Sequence, residues 1–356
     1  MFEELGFETL TAPQAVVYFA LAIGLAFGVL AQITKFCFRS VVVGENRRAS
    51  AGVWFTALAV AVAGTQAAVS ASYISFADHR FMVADLPWLA IGLGGLMFGA
   101  GMVLTRGCAS RLTVLGASGN LRALTVMVVF AIVAHATMKG LLAPLRVALG
   151  SVTVPLGDVT ALAGGWVPAA LIIIAALVIA ARSGVRAPTL LAAGLLGALV
   201  PLAWVGTGFI LYDDFDVIPL ESLSFTRPAS DTLFWTIAGT SISPNFGTGL
   251  IGGVLLGALA ASLLTGSFQW QSFESASQTG RYMGGAVLMG AGGVLAGGCT
   301  VGAGLAGIPT LSVAAFLALA TMALGAWATH ALLARPTRYA GATSAQRPTQ
   351  AEPQAA

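Results

Sequence analysis

The sequence predicts an all-α polytopic membrane protein, made of two pseudo-symmetric halves whose broken, re-entrant helices meet at the bilayer midplane. Three observations lead there. Of 356 residues, 57% are hydrophobic and only 9% charged, against roughly 25% charged in an ordinary soluble chain, and the mean hydropathy is +0.89. A series of apolar stretches is long enough to cross a hydrocarbon core. A glycine-rich segment occurs twice and ends both times in Gly-Cys.

The elements follow in order. Residues 1–13 form an N-terminal extramembrane segment that is acidic and lacks the positive n-region of a cleaved leader, so the first apolar stretch is expected to stay in the mature chain. A crossing needs about 20 apolar residues to span about 30 Å. The runs 14–34, 51–75, 121–143, 166–182, 188–211 and 311–333 meet that need, whereas 87–107, 231–246, 248–265 and 284–298 are apolar but interrupted. The segment 284–298 would reach only about 22 Å at the helical rise. It stops in Gly297-Gly298-Cys299-Thr300-Val301-Gly302-Ala303-Gly304. Non-helical backbone at such depth is tolerated only where protein buries it or it lines a cavity.

Loop charge sets the orientation. Lys35, Arg39, Arg47 and Arg48, then Arg182 and Arg186, then Arg335 and Arg338 mark the cytoplasmic side, while the acidic N-terminus and the segment Asp213, Asp214, Asp216, Glu221 mark the outside. An outside N-terminus and an inside C-terminus require an odd number of crossings, and nine fits the segments. A single transport domain, 14–333, is expected, with repeat units around 88–120 and 284–310. The Pro/Thr/Gln/Ala-rich tail 334–356 reads as disordered and cytoplasmic.

Composition also excludes functions. Lys+Arg at 17 against Asp+Glu at 14 leaves a net charge of +3, without the clustered cations that a nucleic-acid face needs. Three cysteines with no C-x-x-C give no disulfide framework, zinc spacing or paired-thiol motif. With His79, His135 and His330 dispersed as well, no metal ligand set is legible, and no metal or cofactor is expected.

Gly99-Ala-Gly-Met-Val-Leu-Thr-Arg-Gly-Cys108 aligns without gaps on Gly290-Ala-Gly-Gly-Val-Leu-Ala-Gly-Gly-Cys299, with seven of ten positions identical. A weaker echo, Gly28-Val-Leu-Ala31 against Gly257-Ala-Leu-Ala260, lies upstream. Gene duplication is the simplest account. Two halves, each with a broken helix, point to a substrate site at the midplane. Close helix packing through small residues would explain the glycines, but not why both runs end in Gly-Cys. The third cysteine, in Gln32-Ile-Thr-Lys35-Phe-Cys37-Phe-Arg39-Ser40, reads either as a small hydrophobe or as a functional thiol beside two cations. Its replacement is expected to matter less than that of the other two.

Gly107-Cys108-Ala-Ser110-Arg111, the following Gly116-Ala-Ser118-Gly119-Asn120-Leu121-Arg122, and Ala296-Gly-Gly-Cys299-Thr-Val-Gly-Ala-Gly304-Leu-Ala-Gly307 resemble the YeeE/YedE family of bacterial sulfur transporters. Glu221-Ser-Leu-Ser-Phe-Thr-Arg227-Pro228 looks like a subgroup of it, and the likeness covers roughly 14–333. The resemblance implies an hourglass of pseudo-symmetric halves with nine membrane helices and short helices at the waist. It implies uptake of thiosulfate across the bacterial inner membrane past three cysteines, through S–H···S contacts and without covalent change, and a cytoplasmic sulfur-carrier partner of TusA type. Cys108 and Cys299 match the two waist cysteines through their Gly-Cys units. Cys37 would be the third, near one mouth. Loop charge puts it on the cytoplasmic side, whereas the resemblance implies a third cysteine toward the outside, so either the first span is broken and re-entrant, with Lys35 and Arg39 facing a vestibule, or Cys37 is not the equivalent residue. Gly302-Ala303-Gly304 stands where the family commonly has Gly-Asn-Gly, which removes an amide donor and leaves the ion's identity open.

Thiosulfate is a dianion with one sulfur end and three oxygens. A fixed cation at the bilayer centre costs at least about 2.5–3.5 kcal/mol, so thiols, hydroxyls and backbone N–H groups are the softer donors. The candidate site is Cys37, Cys108 and Cys299 with Gly107, Ser110, Arg111, Gly298, Thr300, Gly302 and Gly304, and Arg106 as a second attracting cation. Half-helices beginning after Cys108 and Cys299 would aim their first N–H groups at the oxygens.

Readings from other classes remain. Gly116-Ala-Ser118-Gly119 looks like the G-x-S-G of intramembrane proteases, with His135 or His330 as base. Cys108 and Cys299 meeting in space would suit a membrane thiol oxidoreductase. Trp54, Trp88 and Trp166 are placed at span ends as an aromatic belt.

Overall fold

The computed structural model describes residues 11–157, 159–162, 166–213 and 215–334. The first ten residues, Asp214, Arg335, Arg338 and the tail beyond residue 334 lie outside the described residues.

Helix α1 (Ala12–Thr34) starts on a Thr11 cap with Pro13 in its first turn, and α2 (Phe38–Val43) follows after a short break. α3 (Arg47–Ser70) is capped by Asn46, whose side chain accepts the Ala49 N–H. α4 (Trp88–Leu104), α5 (Ala109–Ala117) and α6 (Leu121–Lys139) come next, then the short α7 (Ala143–Gly150). The two-residue strands β1 (Asp85–Leu86) and β2 (Val154–Pro155) pair antiparallel across this region. α8 (Trp166–Ala181) and α9 (Ala187–Val205) both pack on α3, and α9 runs into the π-helical turn Gly206–Ile210. α10 (Thr226–Ala238), α11 (Phe246–Leu264) and α12 (Ala276–Leu295) follow. The π-helical turn Thr300–Ala306, a 3-10 turn (Ile308–Thr310) and α13 (Val313–Leu333) complete the described chain.

Counting α1 with α2, α4 with α5, and α9 with its π-helical turn as one segment each, seven helical segments are long and apolar enough to cross a membrane, and the bent pair Ala276–Leu295 with Thr300–Thr310 makes an eighth. The sixteen-residue α8 is the shorter apolar helix that a count of nine requires. Two expectations change. The half-span at 284–298 is the end of a 20-residue helix of about 30 Å. Ser275 accepts the Gln278 N–H, and the polar Ser277, Gln278, Thr279 and Arg281 continue the helix below the apolar stretch. The run 231–246 is no span, because α10 has 13 residues and ends at Ala238.

Glycine sets the helix spacing. A Cβ at Gly24 or Gly28 would run into carbonyls of Leu250 and Val254, and one at Gly253 or Gly257 into carbonyls of Leu21 and Leu25. These contacts advance together, so α1 and α11 are parallel. Gly94 meets Gly292 and Ala296 while Gly101 meets Gly285 and Met289, so α4 and α12 are antiparallel. Backbones this close gain dispersion where lipid tails supply no hydrophobic drive.

The packed pairs map onto one another when α1 is exchanged with α9, α2 with α10, α3 with α11, α4 with α12, α5 with the turn Thr300–Ala306, and α6 with α13. Thus α1 on α11 matches α9 on α3, α4 on α13 matches α12 on α6, and α2 on α3 matches α10 on α11. The Gly28 and Gly257 echo does not follow this exchange. It joins two helices that touch, and both carry glycine because each needs it for the same close contact.

Arg48 donates to the Arg182 carbonyl at 3.2 Å, which puts the two basic loops on one face. Trp88 and Trp166 are 46% and 48% exposed, as belt residues would be, but Trp54 is 1% exposed. It packs against Phe38 and Gly304 in the interior and does not belong to a belt.

Candidate functional site

All three cysteines are free, buried and built into the same local device. A long helix stops, a residue adopts the left-handed conformation, and two positions later a cysteine starts a short helical segment. The left-handed residues are Lys35 (φ 53°), Arg106 (φ 60°) and Gly297 (φ 76°). They precede Cys37 at α2, Cys108 at α5 and Cys299 at the turn Thr300–Ala306. This conformation strains an L side chain by roughly 1–2 kcal/mol, and glycine avoids the cost at only one of the three. The pivot at Cys299 is therefore Gly297, not Gly298 or Gly302. Gly298 instead sits against the Ala303 N–H, where a Cβ would come within 3.0 Å.

Cys37 and Cys108 form a pair, with their Sγ atoms 3.6 Å apart. Ser110 Oγ lies 3.4 Å from Cys108 Sγ. Arg111, next along α5, reaches Gln32 Oε1 on α1 with Nη1 at 3.5 Å. Phe36 and Leu112 are buried beside the pair, and a Cβ on Gly107 would press Leu112 at 3.0 Å. Arg106, in contrast, is exposed. The thiol neighbour of Cys108 is thus Cys37, the residue with the weakest sequence signal, whereas a meeting of Cys108 with Cys299 was the pairing the oxidoreductase reading needed.

Cys299 has different surroundings. Its Sγ accepts the Gly302 N–H at 3.4 Å, so that donor is already used and is not aimed at a ligand as expected. The segment is a seven-residue π-helical turn. Gly302 and Ala306 form the floor of a vestibule of about 410 Å³, walled by the 74–81 loop, the end of α9 and the 218–228 segment. Thr207 Oγ1 accepts the Glu221 N–H at 3.1 Å and donates to the Glu221 carbonyl at 2.8 Å, while Ser222 Oγ donates to the Val200 carbonyl at 3.0 Å. These bonds fix the 219–225 chain across the end of α9. Ser224 then lies over the floor, 2.6 Å from where a Cβ on Gly302 would stand. Gly304 faces away, toward Leu319 and Trp54.

Two hydroxyls here are buried without a hydrogen-bond partner among the described residues, Ser224 Oγ in the vestibule wall and Thr300 Oγ1 beside Cys299. An unpaired buried hydroxyl costs about 1–3 kcal/mol. Ser224 lines the cavity and Thr300 does not; an unpaired donor in the wall of a polar cavity is suited to an oxyanion.

The vestibule also carries charge that sequence reading did not single out as a site. Asp78, His79, Arg80, Glu221 and Arg227 line it. Arg227 Nη1 is 3.5 Å from Glu221 Oε1, and its Nε is 3.3 Å from Asp231 Oδ2. Burial, reinforced by Arg80, depresses His79 to a pKa of about 4. The Phe81 N–H donates to His79 Nδ1 at 3.3 Å, so the neutral ring carries its proton on Nε2. Of these residues only Glu221 and Arg227 lay in a segment noted in the sequence. Arg80 and His79 belong to a loop without period or repeat.

The protease reading needs Ser118 beside His135 or His330. Ser118 Oγ donates to the Val114 carbonyl at 2.9 Å, and His135 Nδ1 is 3.0 Å from Ser230 Oγ. Among the described residues no group of three or more His, Cys, Asp or Glu could hold a metal.

Broken membrane helices, buried thiols at the breaks and a charged vestibule above one of them define a multi-pass membrane transport protein. The chain belongs to the sulphur transport family, the YeeE/YedE family, whose model matches residues 33–328 and so includes all three cysteines. A comparison with curated proteins finds no match. The protein is a sulphur transporter for a small sulphur anion, embedded in lipid.

Proposed function

We propose that the protein takes up thiosulfate, or a related inorganic sulfur species, across the bacterial inner membrane along a path lined by cysteine. The anion enters the vestibule from outside, meets Cys299, and leaves past Cys108 and Cys37 to the cytoplasm. The carrying observation is the set of three buried thiols at three interior helix breaks, one beneath the vestibule and two within 3.6 Å of each other. The sulfur end suits a thiol, and Ser224, Thr300 and Ser110 suit the oxygens. Gly302 keeps the floor open, while Gly107 and Gly298 allow the chain to turn close to its neighbours and Gly304 serves packing. Arg111 attracts the anion toward the inner pair.

Thiols are weak donors. Staged weak binding favours conduction, since each site must be entered and then left. The halves form an inverted repeat in this reading, supported by the antiparallel α4 and α12 and the exchange of packed pairs. A TusA-like carrier is the proposed cytoplasmic acceptor. The test is growth of a sulfate-uptake mutant on thiosulfate as sole sulfur source. Growth is expected with the intact chain and not with Cys299→Ala, and growth with neither would remove the proposal.

A further inference from the structure

We propose that Glu221 is a proton site of this transporter: its carboxylate occupies Arg227 as an internal anion, and when a sulfur oxyanion takes over Arg227 and Arg80, Glu221 picks up one proton from water. This rests on the entry route proposed above and deepens it by naming the coupled ion.

The geometry is that of two anions competing for one set of guanidiniums. Glu221 and Arg227 line the same vestibule, 3.5 Å apart, and Arg80 lines it with them. Asp231 holds the other side of Arg227 at 3.3 Å, is itself bonded by Asn245 Nδ2 at 3.2 Å, and is not part of the cavity wall. Glu221 is therefore the carboxylate an incoming anion displaces. Its backbone is pinned by Thr207, so only the side chain swings.

The groups facing Glu221 can be named element by element. Asp78, His79 and Arg80 come from the 74–81 loop, Arg227 and Asp231 from α10, and Tyr212 from the chain after α9, while Cys299, outside the cavity wall, faces Arg80. Burial pushes the Glu221 carboxyl above the ordinary range, and Asp231 adds to this; Arg227 and Arg80 oppose it. An anion that neutralises these two guanidiniums removes what holds the carboxyl ionised. Proton uptake then accompanies anion binding. His79 does not compete for that proton, because burial, the largest cause of its depressed pKa, does not depend on Arg80.

By linkage, affinity for the anion falls about tenfold per unit rise in pH between the free and bound pKa values of Glu221. The test is calorimetry of the purified full chain with thiosulfate at pH 5.5–8.5, in two buffers of different ionisation enthalpy. Wild type is expected to bind about one proton per anion. Glu221→Gln is expected to bind with no proton uptake and a flat pH profile. Binding by wild type without proton uptake, or an unchanged pH slope in Glu221→Gln, would overturn the proposal. If thiosulfate binds neither protein, the substrate reading fails, and the proton site is decided without ligand. The infrared difference titration of wild type against Glu221→Gln must then show a carboxyl titrating above the ordinary range. One titrating at or below that range overturns it.

Discussion

The surroundings of Cys299 and of the Cys37–Cys108 pair are two versions of one backbone device with opposite contents. At Cys299 the side chains are absent or small: Gly297 at the pivot, Gly302 at the floor of an open, charged vestibule, Ser224 in its wall and Thr300 beside Cys299, both with unpaired hydroxyls. At the pair the pivots are Lys35 and Arg106, a second thiol fills the space, and Phe36, Leu112 and the Arg111–Gln32 contact close the surroundings. In the proposed path the same helix break thus serves as a receiving site where glycine leaves room and as a retaining site where side chains fill it. What differs is the volume and the pairing of donors, not the fold.

The largest expected effect breaks both sites at the thiols. Cys299→Ala and Cys108→Ala should each abolish uptake of labelled thiosulfate at normal membrane levels, and wild-type uptake by either would remove the path. Cys37→Ala should be nearly as severe, because Cys37 is half of the pair. This reverses the smaller effect expected from its place in the sequence, and a mild defect would restore that expectation.

Gly302→Val sharpens the contrast next. Gly302→Ala should be accommodated by rotation of Ser224, whereas the branched side chain fills the floor. Uptake per inserted molecule should fall about tenfold or more, the worth of about 1.5 kcal/mol for the Ser224 donor that the side chain displaces from a charged ligand. Gly253→Val is the control. It strikes the Leu21 carbonyl between α1 and α11, so folded protein should drop while uptake per molecule is kept. Quantifying transport against inserted protein separates the two.

The smallest effect is expected at Ser110→Ala. The hydroxyl 3.4 Å from Cys108 Sγ should be worth a few-fold in uptake, in line with about 0.5–1.5 kcal/mol for a neutral hydrogen bond. A complete loss would mean that Ser110, not the thiol, is the principal contact.

The membrane class and the two Gly-Cys breaks were legible because composition and a gapless repeat are local in the sequence. The third break was legible only as one of two alternatives, a broken first span or a Cys37 that is not the equivalent residue. Lys35-Phe36-Cys37 lacks glycine, and a left-handed lysine leaves no signature that distinguishes it from an ordinary helix end. The length of α12 was misread because hydropathy stops at Gly284, while helical hydrogen bonding continues through polar residues to the Ser275 cap. The vestibule was least legible, since Arg80, Glu221 and Arg227 come from segments that only tertiary packing brings together. Gly302 lies against Ser224 and is not among the left-handed residues, a placement that the glycine-rich run alone does not disclose.

The claim that the path runs between the inner thiols has a direct test. Copper–phenanthroline in air removes two electrons and two protons from Cys37 and Cys108 to form a bond of about 2.05 Å, a short move from 3.6 Å. After the oxidant is washed away, thiosulfate uptake is measured in proteoliposomes. The account predicts that uptake stops while thiosulfate binding at the vestibule remains, and that dithiothreitol restores uptake. Undiminished uptake through a protein shown to carry the Cys37–Cys108 bridge would contradict it.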